Sequence, residues 1–458
     1  MRVLGLETTF AQDLIRLERS QYEAAVTSSR LQLVLVPPQH MASALAAFSS
    51  RIHIYYPILP LDFSDEFFRV LSGPFHPSCR SCLVLLVAAI GCIAQDPESE
   101  SPYFEAALTS LPLVVAECSL VSVQCLLFLA IYYCSLLKPC QAHDYCLMAS
   151  FKIQNIFKLG LQDVDPSSLK LTHRVYWAML LHESELSVQL DVAKSDIWAL
   201  DDHIPLPNCR QTWQFELAPV STTYAQLSPA SVHSTSSTRP DQAQSFFLAE
   251  IAMCRMLHRC NSAVALNPAG QPAYAPGIAL ELQRQLDEWY DYLAENIQFT
   301  KDVDHFPTGQ TGPLSNFLRV QYYCCRVSIY WPAVYQALQD GESSGQLVEH
   351  CQRFLDSYVQ LLPSIILAVH DCLIHRWTLF LSVFITTLAA SKAASIPSLS
   401  KKSLDQVYQC LSSLGRTEWT ILENSESLQR LRYTLNQRLA RYNYDLNSIE
   451  DDRLPIAE

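Results

Sequence analysis

The chain has 458 residues and a formal net charge of −13, with 49% hydrophobic and only 17% charged residues, against about 25% charged in an ordinary soluble domain. So little charge implies a large shielded core, and the acidic balance argues against a chain that grips nucleic acid over its whole surface. Eleven glycines are too few for glycine-rich phosphate loops or tightly turned β architectures.

At the N-terminus Glu7 interrupts the one candidate secretory signal, and residues 1–50 contain no cysteine. This segment shows no well-defined element. "LQLVLV" at 31–36 is the best strand candidate, or else a short helix end before Pro37 and Pro38. With no signal, and with sixteen cysteines scattered through apolar segments rather than in a disulfide framework, a reducing interior compartment is expected.

"HPSCRSCLVLLVAAIGC", residues 76–92, places Cys79 and Cys82 two residues apart at the mouth of an apolar run. A structural zinc site needs four Cys/His ligands, normally in two close pairs. The next cysteines are Cys92 and Cys118, no second C-x-x-C exists, and only His76 offers a third ligand. The preferred reading is a helix opened by Pro77 or Ser78 and buried on all sides.

"CSLVSVQCLLFLAIYYCSLL", residues 118–137, is long enough to span a membrane. It carries three serines and a glutamine, however, and no flanking charge asymmetry. The run from Trp377 to Ser391 is shorter still. Both are read as central helices of a soluble bundle, so no membrane contact is expected. From Leu159 to Ile204 the polar and apolar residues alternate helically, ending at Pro205 and Pro207.

Residues 220–244, "VSTTYAQLSPASVHSTSSTRPDQAQ", are rich in Ser, Thr and Pro. Such a composition predicts a mobile loop, because it buries too little surface to offset ordering entropy. It divides the chain into a half at 51–219 and a half at 245–440, followed by an acidic tail at 441–458. Both halves carry long apolar helices and are expected to pack as one body. "ALNPAGQPAYAPG" at 265–277 is a second break before a helix. Leu282, Leu286, Trp289, Leu293 and Ile297 then recur at spacings of three and four. So do Leu347, Cys351, Phe354, Tyr358 and Leu361, which gives two further amphipathic helices. The predicted fold class is all-α, a large multi-helix bundle. The most basic stretch, 401–443, holds seven Lys/Arg against four Asp/Glu, too small an excess for a nucleic-acid arm.

Three constellations have catalytic residue types. His143-Asp144 and His370-Asp371, the latter followed by His375, match the His-Asp steps of two-metal phosphohydrolases. Their nearest extra carboxylates, Asp163 and Asp165, follow a loop-like stretch. Asp201, Asp202 and His203 form an acidic pair beside a histidine, without a second acidic cluster. Capping and solvent-facing roles are preferred for all of them. The chain has no G-x-S-x-G, G-x-G-x-x-G, Walker loop or H-E-x-x-H. No catalytic, cofactor-binding or metal-binding residue is assigned, and no cofactor is expected.

Several pieces in order resemble a known family. "YYPILPLDFSDEFF" (55–68) looks like an aromatic-proline entry segment, and "CLVLLVAAIGCIA" like the buried helix that follows. "YFEAALTSL", "SVQCLLFLAIYY" and "MASFKIQNIFKLGLQ" follow, the last ending in Leu159, Gly160 and Leu161. "THRVYWAMLLHESELSVQL" carries Arg174-x-x-Trp177, and "DIWALDDHIPLP" closes on Leu-Pro. "LDEWYDYL" and "CLSSLGRTEW" are weaker echoes. Together they resemble the fungal transcription-factor regulatory domain, the middle homology region of zinc binuclear-cluster regulators. Two departures stand out: "LDVAKS" replaces the family's Gly-Arg-Pro, and Glu183 stands where Asp is usual.

The resemblance implies an all-helical nuclear regulator. Because residues 1–50 lack the six-cysteine cluster that reads DNA in such regulators, no direct nucleic-acid binding is expected. A protein partner is expected instead, either a DNA-binding relative or a second copy, unless a cluster is encoded upstream. A small apolar effector and a role in secondary-metabolite regulation are implied by association. The alternative reading is an enzyme or small-molecule binder that uses the helical shell around an apolar pocket.

Overall fold

The computed structural model describes residues 4, 6–7, 9–25, 38–96, 102–160, 165–190, 192–208, 212–215, 217, 240–263, 265–266, 272–301, 312–340, 345–399, 405–407, 409–410 and 425–440. The strand candidate at 31–36, most of the loop at 220–244 and the tail at 441–458 lie outside them. The chain is all-α, as its sequence predicts. The strands among the described residues are one two-residue antiparallel ribbon, Ala265–Leu266 against Pro272–Ala273. It falls in the proline-glycine break at 265–277.

The chain divides into two compact units, Thr27–Leu248 and Met1–Val26 with Ala249–Glu458. This differs from the expected division at 51–219 and 245–440. Residues 1–50 also contain more structure than expected, namely helix α1 (Phe10–Ala25) and helix α2 (Pro38–Phe48). α1 counts with the C-terminal unit because Phe10 and Leu14 are buried and Phe10 stacks on Phe384 at 5.6 Å.

In the first unit α2 runs through a wider turn, Ser49–His53, into the extended segment around Pro57 and Pro60. There follow α3 (Phe63–Ser72), α4 (Cys79–Gln95), α5 (Pro102–Leu108), α6 (Leu111–Ala116), α7 (Leu120–Ser135), α8 (Pro139–Lys158) and α9 (Pro166–Leu190). The apolar runs at 79–95 and 120–135 form the centre. Every residue from Cys82 to Ala94 and from Ser122 to Cys134 is buried, so these helices have no solvent face to pattern. Both start at reciprocal capping boxes, Ser78 with Ser81 and Ser119 with Ser122, which satisfy helix N–H groups that a buried end would orphan. Gly91 is where α2 crosses α4: a Cβ there would lie 2.1 Å from the Ala44 carbonyl oxygen. Gly160 ends α8 with φ +63°, a left-handed conformation that only glycine adopts without cost. The helical alternation read from Leu159 to Ile204 does not run through. α9 stops at Leu190, and a short turn, Ile197–Leu200, precedes the prolines.

α10 (Pro240–Ser262) begins inside the stretch expected to be loop, taking its last five residues into a helix. The physical reason is Pro240 at the first helical position, followed by the buried pair Phe246 and Phe247.

The second unit contains α11 (Pro276–Asp291), α12 (Pro313–Asp340), α13 (Gly345–Asp371), α14 (Arg376–Ala393) and α15 (Glu426–Ala440). All five periodic residues of α13 from Leu347 to Leu361 are buried. In the other periodic segment α11 stops at Asp291, and Leu293 and Ile297 reach the core from the turns beyond it. Leu373–Ala393 is long and apolar enough to cross a membrane, but 78% of its apolar window is buried within the protein. α7, at 16 residues, is shorter than the roughly 20 that a span requires.

Candidate functional site

The segments that resemble the family motifs meet in the first unit around α9. Arg174 Nε donates to the Pro57 carbonyl at 2.9 Å, and its Nη2 reaches the Leu59 carbonyl at 3.5 Å. One turn on, Trp177 Nε1 donates to the Pro205 carbonyl at 2.9 Å. Residues at spacing three share a helix face, so Arg-x-x-Trp holds two proline segments that lie far apart in sequence. Neither segment can satisfy its carbonyls in a regular ladder, and buried carbonyls need donors.

Two more side chains hold the same entry segment. Gln124 Nε2 from α7 donates to the Ile58 carbonyl. His53 Nε2 accepts from the Leu59 N–H at 3.3 Å, and its Nδ1 lies 2.8 Å from Gln214 Oε1. Acceptance at Nε2 fixes the neutral tautomer with Nδ1–H donating to Gln214. Burial is the main reason the His53 pKa is lowered to about 4; the Gln214 bond works the other way and the Arg174 charge adds to the lowering. Arg174, lowered to about 10 by burial, remains a cation at neutral pH, with Trp213 5.3 Å from its guanidinium carbon. Phe215 packs 4.9 Å from His53, Phe247 6.0 Å from Trp213 and Phe246 5.3 Å from Tyr55.

Glu183 closes the far end. Its carboxylate accepts from both the Ser195 N–H and the Ser195 hydroxyl at 2.6 Å, pinning the "LDVAKS" stretch. Tyr176 donates to the Ile197 carbonyl at 3.0 Å. Tyr56 and Cys134 flank the His182 ring, at 3.3 Å from Nδ1 and 3.9 Å from Nε2, and all three are buried. This is a largely buried polar hub that fixes backbone.

The candidate ligands fall elsewhere. Cys79 and Cys82 occupy the first turn of α4. Cys79 donates to Glu117 Oε2 at 3.1 Å and Cys82 to the Ala107 carbonyl at 3.5 Å. Burial, and then the hydrogen bond and charge of Glu117, push the Cys79 thiol up to about 12, whereas zinc takes the thiolate. His76 is exposed, and Cys92 lies thirteen residues along the same helix, about 20 Å away at 1.5 Å per residue. Among the described residues no group of three or more His, Cys, Asp or Glu is placed to hold a metal.

His143 is buried with Nε2 donating to the Ala193 carbonyl at 2.9 Å, while Asp144 is exposed. His370 and Asp371 are exposed at the end of α13, and His375 is buried, stacked 4.2 Å from Phe317. Asp165 caps α9, accepting from Ser167 and Ser168 N–H at 3.0 Å; Asp163 lies outside the described residues. Asp202 and His203 are exposed in the turn after Leu200, where Asp201 is half-buried. His53, Gln124 and Gln214 escaped the sequence reading because no local spacing relates them.

The fungal specific transcription factor domain matches residues 45–291, which contain the whole hub. The chain belongs to that family, and it is a transcription regulator. It is 53% identical over 455 residues to a protein of Aspergillus rugulosus named "Putative transcription factor ecdB", covering 96% of this chain and 79% of the relative. No solved structure matches the chain.

Proposed function

We propose that the chain works in the nucleus as a non-catalytic regulatory domain, and that sequence-specific DNA contact is made by a second protein, a DNA-binding relative or another copy. The observation that carries this reading is the family match across the hub. Two features support the rest. Histidine, arginine and carboxylate side chains of the hub are spent on backbone carbonyls and N–H groups, as in a scaffold rather than a reacting centre. The net charge of −13 disfavours phosphate binding by the chain alone. A secondary-metabolite gene set is the proposed target, by association with family members of this kind.

The test is a mobility-shift titration of the purified full chain on promoter DNA, alone and with co-expressed DNA-binding relatives, paired with transcript profiling of a deletion strain. The reading expects no site-selective shift alone, a supershift with a partner, and loss of a coherent gene set. Tight, site-selective binding by the chain alone overturns the partner requirement.

A further inference from the structure

Two thiols from different helices of the second unit meet. Cys260, in the last turn of α10, and Cys325, within α12, are 65 residues apart in sequence, and their sulfurs are 3.7 Å apart. Cys325 is fully buried and Cys260 half-buried, so one residue is sheltered and the other is partly exposed. The hydrogen bond from Cys325 lowers the Cys260 pKa against the opposing effect of burial, and the Arg259 charge helps. The same bond and burial raise Cys325. A half-buried Cys260 beside a buried Cys325 is the arrangement of an attacking and a resolving cysteine.

We propose that Cys260 and Cys325 are an oxidative modification site that closes to a reversible disulfide under hydrogen peroxide. The Cys260 thiolate attacks one peroxide oxygen and the O–O bond breaks, leaving Cys260 as a sulfenic acid and releasing hydroxide, which is protonated to water. The Cys325 sulfur then attacks the sulfenic sulfur. An S–S bond forms, the S–OH bond breaks, and that hydroxide leaves as water with the Cys325 proton. Two thiols lose two electrons, and one peroxide becomes two waters. A disulfide needs about 2.05 Å between sulfurs, so the pair must close by only about 1.7 Å. The bond would tie α10 to α12 and restrict the unfolded chain. Half-buried Cys254 provides competition, and exposed Cys118 provides an internal reference.

The experiment is a peroxide titration of the reduced full chain, quenched by alkylation and read by intact mass and non-reducing peptide mapping. The expected result is a 2 Da loss (, about two hydrogens), one peptide pair joining Cys260 to Cys325, and full reversal by dithiothreitol. A melting temperature several degrees above the reduced form should accompany it. Cys260→Ser, at a half-buried position and checked for folding by circular dichroism, should abolish the mass loss. Three outcomes overturn the proposal: Cys260 passing to sulfinic acid without linkage, linkage of Cys260 to another thiol, or both cysteines staying reduced at a dose that oxidises Cys118.

Discussion

Arg174 and Pro57 are 117 residues apart in sequence and 2.9 Å apart in space, guanidinium nitrogen to carbonyl oxygen. Arg174→Met keeps most of the apolar stem and removes the donors, leaving the Pro57 and Leu59 carbonyls short of a partner. The expected cost is about 3 kcal/mol, read as a lowered urea midpoint. Arg174→Lys should recover only part of it, because an ammonium cannot reach both carbonyls in the guanidinium's planar geometry. Equal stability of all three forms would remove the hub from the account.

His53 makes stability depend on pH. Its folded pKa, lowered to about 4, lies below the ordinary value of about 6.5 that it regains on unfolding. Between these values the unfolded chain binds the extra proton, so stability is complete above pH of about 6.5 and falls as the pH drops towards about 4. The full span corresponds to about 3 kcal/mol. Urea midpoints between pH 7 and 5 should fall more steeply in the wild type than in His53→Gln, which cannot titrate.

Gly91 and Gly160 should respond differently to alanine. At Gly91 the new methyl meets the Ala44 carbonyl at 2.1 Å, and only separation of α2 from α4 relieves it. About 3 kcal/mol or more is expected, seen as a large drop in melting temperature or as loss of soluble protein. At Gly160 nothing lies within 4 Å, so only the left-handed backbone penalty of about 1 kcal/mol applies.

The second unit holds a smaller charged cluster. Lys301 Nζ lies 4.0 Å from the Tyr290 ring centroid and 3.2 Å from Asp287 Oδ1, which also accepts from Tyr322 at 3.0 Å. Burial opposes ionisation of Asp287, but bonds from Gln283, Tyr322 and Lys301 hold its carboxyl below the ordinary range. Both charges are partly exposed, 37% and 45%, so solvent screens them. Lys301→Met should cost about 1 kcal/mol, less in high salt, with denaturant melts as the measure.

Thiol labelling tests the placement of the Cys-x-x-Cys pair. With iodoacetamide at pH 8, exposed Cys118 should react well before the Cys-x-x-Cys pair. Cys79, pushed up to about 12, and buried Cys82 should react only after denaturant is added. Rapid native labelling of Cys79 and Cys82, or its suppression by zinc, would restore the metal reading.

The helical class was legible because long apolar runs and periods of three and four are local properties, and α13 shows the pattern intact from Leu347 to Leu361. The buried helix that opens at Cys79 was legible too, in the apolar run that follows it. Boundaries were less legible. α11 stops at Asp291 although its apolar period continues to Ile297, because a residue can enter the core from a turn as well as from a helix.

The order of motifs along 55–207 therefore lay in the sequence, as did the helices that carry them, because side-chain periodicity and composition act within a few residues. What held those motifs together did not. Gln124 reaches Ile58 across 66 positions, Arg174 reaches Pro57 across 117 and Gln214 meets His53 across 161, and Cys260 finds Cys325 in the same way. A hydrogen bond or a thiol contact depends on distance in space, and only the packed chain sets that distance.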